Sequence, residues 1–181
     1  MAEPPLSGEA NLLGALALLV SDQLGAAVGA AAGGSGSAAA ALSALHTFLD
    51  RPTIDMLRRV LGLTPSGAVR LVDRLAEAGL VTRGPGEDLR SRAVILTPSG
   101  RRAAARVAAA RTAVLEAALG DLSANQRRAL HGLLGKVMAG LVRDKDGGAW
   151  ICRLCDLGAC GRDEGRCPTA NAAAVKYGTP G

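Results

Sequence analysis

Four cysteines stand within sixteen residues, as Cys152-x2-Cys155-x4-Cys160-x6-Cys167, and the rest of the 181-residue sequence has none. Thiols spaced this way can form disulfides, act as a redox couple or share a metal. The opening "MAEPPLSGEA" lacks the basic stretch of a secretory leader, so a reducing, cytoplasmic setting is expected and a disulfide framework is not. The x2 pair can chelate an ion from one turn, and glycine-bearing links let the chain return to complete a tetrahedron. Cys152, Cys155, Cys160 and Cys167 are therefore the expected metal ligands, with Zn2+ the expected ion. An iron-sulfur cluster is the alternative, because Cys167 is followed by Pro168 and all-cysteine sites suit both metals. The first three cysteines have zinc-knuckle spacing, but the fourth comes later than a knuckle places it. Arg153, Arg162 and Arg166 lie among the thiols and would favour deprotonated sulfur.

The second concentration of chemistry is arginine. Between Arg51 and Arg102 ten arginines face five acids, a local excess that equals the net charge of +5 of the whole chain. They ride on a stretch that reads helix, tight turn, helix, hairpin. "TIDMLRRVLGL" supplies the first helix. "TPSGAVRLVDRLAEAGL" supplies the second, with Thr64 as N-cap, Pro65 at the first helical position and Gly79 at the stop. At about 100° per residue, Ala68, Val69, Leu71, Val72, Leu75 and Ala76 share an inner side. Ser66, Gly67, Arg70, Asp73, Arg74 and Glu77 share the outer one. A helix buried on one side and presenting arginines from its first two turns has the form of a recognition helix. Strands over 81–83 and 93–96 follow, broken apart by Gly84, Pro85 and Gly86, with Glu87, Asp88, Arg90 and Arg92 at the tip. Base contacts are expected chiefly from Ser66 and Arg70, close to Thr64 and Gly67. Phosphate contacts are expected from Arg58, Arg59, Arg74 and Arg83, and minor-groove contacts from Arg90 and Arg92.

This stretch resembles the winged helix-turn-helix of the multiple antibiotic resistance regulator (MarR) family. The likeness is carried by "LGLTPSGAVRLVDRLAEAGLV", "DLRSRAVILT" and "PSGR", and extends over roughly residues 9–144. It implies a mainly α fold with a small β-wing, the winged helix-turn-helix flanked by N- and C-terminal dimerisation helices. It places Arg70, Asp73 and Arg74 at the family's arginine and Asp-Arg positions, and Asp88 and Arg90 at its wing-tip Asp-x-Arg. It further implies a homodimer on a double-stranded, pseudo-palindromic operator and leaves room for a small-molecule effector. Gly67, Ala68 and Val69 stand where the family often has larger or hydroxyl-bearing residues, so base readout is expected to rest on few side chains. The cysteine tail is outside the family pattern.

The remaining chain must position these two sites. Aromatic residues are only 2%, so the core is expected to be leucine, valine and alanine on closely packed helices. A first helix over 9–32 repeats Leu12, Leu16, Val20, Leu24 and Val28 every four residues, more apolar surface than one helix can leave exposed. Gly33 to Ser37 ("GGSGS") reads as a flexible joint, and 38–50 as a short buried helix whose His46 is structural. Thr97 and Pro98 open a helix to about Leu119, with Val107, Ala110, Val114, Ala117 and Ala118 inward. Ser123 and Gln126 form a capping box for a helix over 124–144. No segment is long and charge-free enough to span a bilayer, so no membrane partner is expected. The division is a DNA-binding and dimerisation domain over 1–148, with its winged helix-turn-helix at about 51–98, and a cysteine module over 149–181.

An enzyme is not expected. His46 and His131 are far apart and outside any nucleophile motif, and no phosphate loop or dinucleotide fingerprint occurs. The reading is a DNA-binding transcriptional regulator, a repressor, responsive to metal or redox state through its cysteines. The alternatives are a thiol-redox or iron-sulfur protein whose cysteines do the chemistry, and a DNA binder with a purely structural zinc tail.

Overall fold

The computed structural model describes residues 6–86, 92–142 and 151–178. Asp88, Arg90 and Trp150 lie outside them, as does the expected boundary at 148. Helices dominate because nearly every polar-to-apolar transition begins with a capping residue. Ser7 caps α1 (Gly8–Ala31), Ser35 caps α2 (Gly36–Thr47), Thr53 caps α3 (Ile54–Leu61) and Thr64 caps α4 (Pro65–Glu77). Beyond the wing, Thr97 caps α5 (Pro98–Ala118), and Ser123 with Gln126 makes the expected capping box of α6 (Ala124–Leu141). Each cap satisfies an otherwise orphaned backbone N–H, so these boundaries are written locally. The joint over Gly33–Ser37 is an ordered turn instead. Ser35 accepts from the Ala38 N–H at 3.3 Å, and Gly36 and Ser37 are already helical.

The wing pairs β1 (Val81–Pro85) with antiparallel β2 (Arg92–Leu96), in register from Val81 opposite Leu96 to Pro85 opposite Arg92. The strands are longer than expected, because Gly84 and Pro85 belong to the ladder. A Cβ on Gly84 would sit 2.6 Å from Ile95 Cδ1, so a larger residue there would have to turn that side chain aside. Pro85 needs no N–H at the strand's end, and its carbonyl accepts from the Arg51 guanidinium at 2.7 Å. Val94 N–H donates to Pro52 O, stitching the entry to α3 onto the wing.

The core is aliphatic, as the composition requires. Leu42, Leu57, Val72, Val94 and Val107 are fully buried, and Ala39, Ala41, Ala103 and Ala104 fill the close helix crossings. Two inward assignments need correction. Val69 is 45% exposed, and on α5 the buried residues are Ala103, Ala104 and Val107, with Ala117 and Ala118 outside. His46 is also exposed rather than part of the core.

The 24-residue α1 packs along α5 and α2. With mean hydropathy 1.6 over its most apolar 18 residues, it is long and apolar enough by length and composition to cross a bilayer, contrary to the sequence expectation; only Glu9 and Asp22 bring charge into it. Leu12, Leu16 and Leu19 project outward, as do Leu133, Leu134 and Leu141 of α6. Between these helices runs an apolar groove of about 1170 Å³, walled by Leu16, Val20 and Leu24 of α1, Leu115 of α5, Leu119 and Leu134. After the cysteine loop, helix Pro168–Tyr177 folds back on α6. Pro168 sits 3.4 Å from where a Cβ on Gly135 would be, and Lys176 Nζ and Tyr177 OH both donate to Val142 O.

Candidate nucleic-acid interface and cysteine module

The turn before α4 is built by Gly62, left-handed at φ 65°, and by Thr64, whose Oγ1 accepts from the Gly67 N–H at 3.1 Å. A Cβ at position 67 would approach that oxygen to 2.9 Å. Gly67 therefore leaves room for the cap that starts the helix, a structural reason for the small residue. The first turns of α4 then expose Ser66, Val69, Arg70 and Arg74, with Asp73 half-buried beside them. Ser66, Val69, Arg70 and Asp73 follow the i, i+3, i+4, i+7 spacing of one ridge. Val69 is thus a surface residue of this face that sequence reasoning placed inside, and its ridge spacing was the available signal.

The arginines of this surface divide into two sets. Arg58 and Arg59 both reach Asp55, at 2.9 and 3.3 Å, and the hydrogen bond from Arg58 holds the Asp55 carboxyl below its ordinary range. Arg83 pairs with Asp73, tying the wing to α4. Arg70 and Arg74 have no acidic partner among the described residues, so their charge is available to a ligand. Arg92 is exposed at the first residue of β2. Asp88 and Arg90, expected at the wing tip, lie outside the described residues.

The cysteine module is a chain of short turns. Cys155 N–H donates to Cys152 O, Asp156 caps the single helical turn Leu157–Cys160, and Gly161 (φ 61°) and Gly165 (φ 68°) bend the return. Cys167 sits at the N-cap of helix Pro168–Tyr177. The structure brings the four thiols together as two pairs. Cys155 and Cys160 donate from Sγ to Ile151 O and Leu157 O at 3.6 and 3.5 Å, while Cys152 and Cys155, and Cys160 and Cys167, lie near enough for each to act on the other's thiol. Cys152 and Cys167 are buried. The Cys155 hydrogen bond and the Arg162 guanidinium, 3.1 Å from Cys152 Sγ, lower the Cys152 thiol to about 6, while that pairing and burial push Cys155 up. Cys160 is raised by burial and by the charges of Cys167 and Cys152, so the two pairs sense each other. Of the three expected arginines, Arg162 is in hydrogen-bond contact with the Cys152 thiol. Arg153 lies in the field of Cys155, whereas exposed Arg166 pairs with Glu164. Arg111 of α5, which sequence distance hid, also acts on Cys155. An all-thiol donor set suits zinc or iron-sulfur chemistry. Among the described residues no three His, Cys, Asp or Glu side chains are arranged to hold a metal ion as they stand.

Residues 33–91 match the family model described as MarR family. No curated protein sequence matches the chain. Solved structures do. A probable transcriptional regulator from Pseudomonas aeruginosa is 25% identical, with 69% of this chain and 96% of that one covered at TM-score 0.53. CouR from Rhodococcus jostii RHA1, solved with p-coumaroyl-CoA, is 21% identical over 75% of this chain and 95% of its own, at TM-score 0.57. A point mutant of MepR from S. aureus, bound to an oligodeoxyribonucleotide, is 16% identical over 75% and 99%, at TM-score 0.56. The last two show the fold alone.

Proposed function

We infer, from a winged helix-turn-helix whose residues 33–91 match the MarR family model, that this protein is a transcriptional regulator of that family, a cytoplasmic, dimeric repressor reading a pseudo-palindromic operator in double-stranded DNA. The observation that carries the reading is the α4 ridge. It is rigidly capped, buried behind by Leu71, Val72 and Leu75, and presents Ser66, Val69, Arg70 and Arg74 with both guanidinia unpaired among the described residues. Arg70 can bond a guanine edge, and Val69 can pack on a thymine methyl. Arg58, Arg59, Arg74 and Arg92 supply phosphate or groove charge around it. The oligonucleotide-bound structure named above supports DNA as the partner, since it shares this fold.

The apolar groove supports the dimer. The leucines of α1 and α6 that line or border it are exposed in a single chain, and a second copy presents the matching set. Two recognition helices would then enter successive major grooves. The p-coumaroyl-CoA complex supports a small-molecule effector, and we place a second input in the cysteine module. The test is selection of tight-binding duplexes from a random pool by the purified protein. A recovered inverted repeat bound by two chains is expected, and recovery of no preferred sequence would remove the regulator reading.

A further inference from the structure

Among the described residues the cysteine module meets the body of the protein at two places, and at the first of them Cys155 lines the contact beside Leu154. At its start, Leu154 packs against the hydrophobic core. It lines the apolar groove, and it also lines a second cavity of about 230 Å³ against Ser43 and Thr47 of α2 and Val107 of α5. At its end, Cys167 leads into the helix that packs on Gly135 and Val142 beside and beyond α6. Leu154 is bracketed by Cys152 and Cys155, and Cys167 abuts Pro168, so each mechanical contact adjoins a thiol. The loop therefore spans the winged-helix body and α6.

Sulfur spacing bears on what the thiols hold. Two sulfurs at corners of a tetrahedron with arms of about 2.3 Å are about 3.8 Å apart, within the contact distance of hydrogen-bonded thiols. Cys152 and Cys155 act on each other's thiols, as do Cys160 and Cys167, and Cys152 also acts on Cys160, so the four sulfurs share one neighbourhood. A [4Fe–4S] cluster puts each cysteine on its own iron and holds the sulfurs farther apart, whereas a [2Fe–2S] cluster sets two cysteines on each iron as zinc would, so inorganic sulfide is what separates that cluster from zinc. Arg162 stands on Cys152, with Arg111 and Arg153 close to Cys155, and they offset the negative charge of four thiolates around a dication.

We propose that Cys152, Cys155, Cys160 and Cys167 close around one Zn2+ ion, and that this closure fixes Leu154 in the α2–α5 wall and the following helix on α6, so that zinc occupancy sets DNA affinity. The thiols still protonated lose their protons to solvent as the ion sheds its water. Four protein ligands leave no open position, so the centre is regulatory and structural rather than catalytic. The coupling half of this proposal rests on the DNA-binding reading above.

The experiment uses the full chain, stripped with a chelator under reductant and reloaded with zinc sulfate, and compared on a duplex selected from a random pool. One zinc per chain is expected, with at least a fivefold change in duplex affinity on its removal, the lower end of usual coupling. Cys155→Ser and Cys160→Ser should lose the zinc. Leu154→Ala should keep the zinc and lose most of the affinity change, which separates transmission from folding of the loop. Iron with inorganic sulfide, disulfides in place of metal under reductant, or no zinc at all would overturn the site. Zinc bound with affinity unchanged, or Leu154→Ala behaving as the parent, would overturn the coupling. If neither form prefers any duplex, the regulator reading and the coupling fail together, while zinc stoichiometry still decides the site.

Discussion

Arg70 and Arg59 carry the same charge in different surroundings, and that difference sorts their roles. Arg59 shares Asp55 with Arg58 on an exposed helix surface, where a guanidinium half-neutralised by a carboxylate is suited to a phosphate rather than a base edge. Arg70 stands on the α4 ridge with no acid to hold it among the described residues. Arg70→Ala should cost about 1–3 kcal/mol on the selected duplex and little on random sequence. Arg59→Ala should weaken both alike and reduce the slope of log affinity against log salt by about 0.9. Titrations of both variants on both duplexes across salt decide it, and an equal loss on the two duplexes for Arg70→Ala would make it a phosphate contact. Val69 extends the same reasoning. It is exposed in a fold that buries its neighbours, so Val69→Ala should leave stability nearly unchanged and cost about 1 kcal/mol of affinity, at a single thymine position, for the two methyl groups lost. Competition with duplexes substituted one base at a time would reveal that position. The sequence disclosed the arginines because charge cannot hide on an amphipathic helix. It disguised Val69 because an apolar residue at the edge of the inner stripe looks the same whether core or DNA lies beyond it.

At the scale of elements, legibility followed how local the determinant is. Thr64 with Pro65, Thr97 with Pro98, and Ser123 with Gln126 each fix a helix start within four residues, and the structure places those starts as read. The hairpin was read too short because Gly84 and Pro85 look like breakers in isolation. Glycine leaves room there for the Ile95 side chain across the ladder, and proline is tolerated at a strand end. Gly100 shows the same dependence on a distant partner more severely. A Cβ there would lie 1.9 Å from the Leu80 carbonyl oxygen, where α5 leaves the wing against the α4–β1 turn. Backbone cannot rotate away as a side chain can. Gly100→Ala should therefore destabilise by about 1–3 kcal/mol or more, as overpacking does. In a chain of this size that lowers the melting temperature by roughly 2–4 °C per kcal/mol. The control is Gly132→Ala on α6, where a Cβ meets nothing within 4 Å and the exchange should stabilise slightly. Calorimetry on the pair checks both, and equal melting points would mean that the α5–turn contact is looser than described.

For the whole molecule, long-range placement is what the sequence withheld. Nothing near Leu154 announces that it reaches α2 and α5, and Arg111 lies forty-four positions from the Cys155 whose field it alters. The dimer is different, because its signal is surface left over after folding is complete. Leu16 is 50% exposed and Leu134 is 40% exposed in a single chain, both on walls of the same apolar groove. A leucine withdrawn from water contributes about 1.5–3 kcal/mol, and two-fold symmetry counts each residue twice. Replacing both with glutamate should therefore act on assembly far more than on folding, since neither side chain is in the core of one chain. Light scattering should report monomers while the helical circular dichroism of the parent persists. Affinity for an inverted repeat should then fall on the order of 10²–10⁴-fold, the advantage that joining two half-site binders provides, whereas affinity for a single half-site should hold. A double variant that remains dimeric, with its affinity for the repeat intact, would move the interface away from α1 and α6 and leave the groove to a small molecule alone.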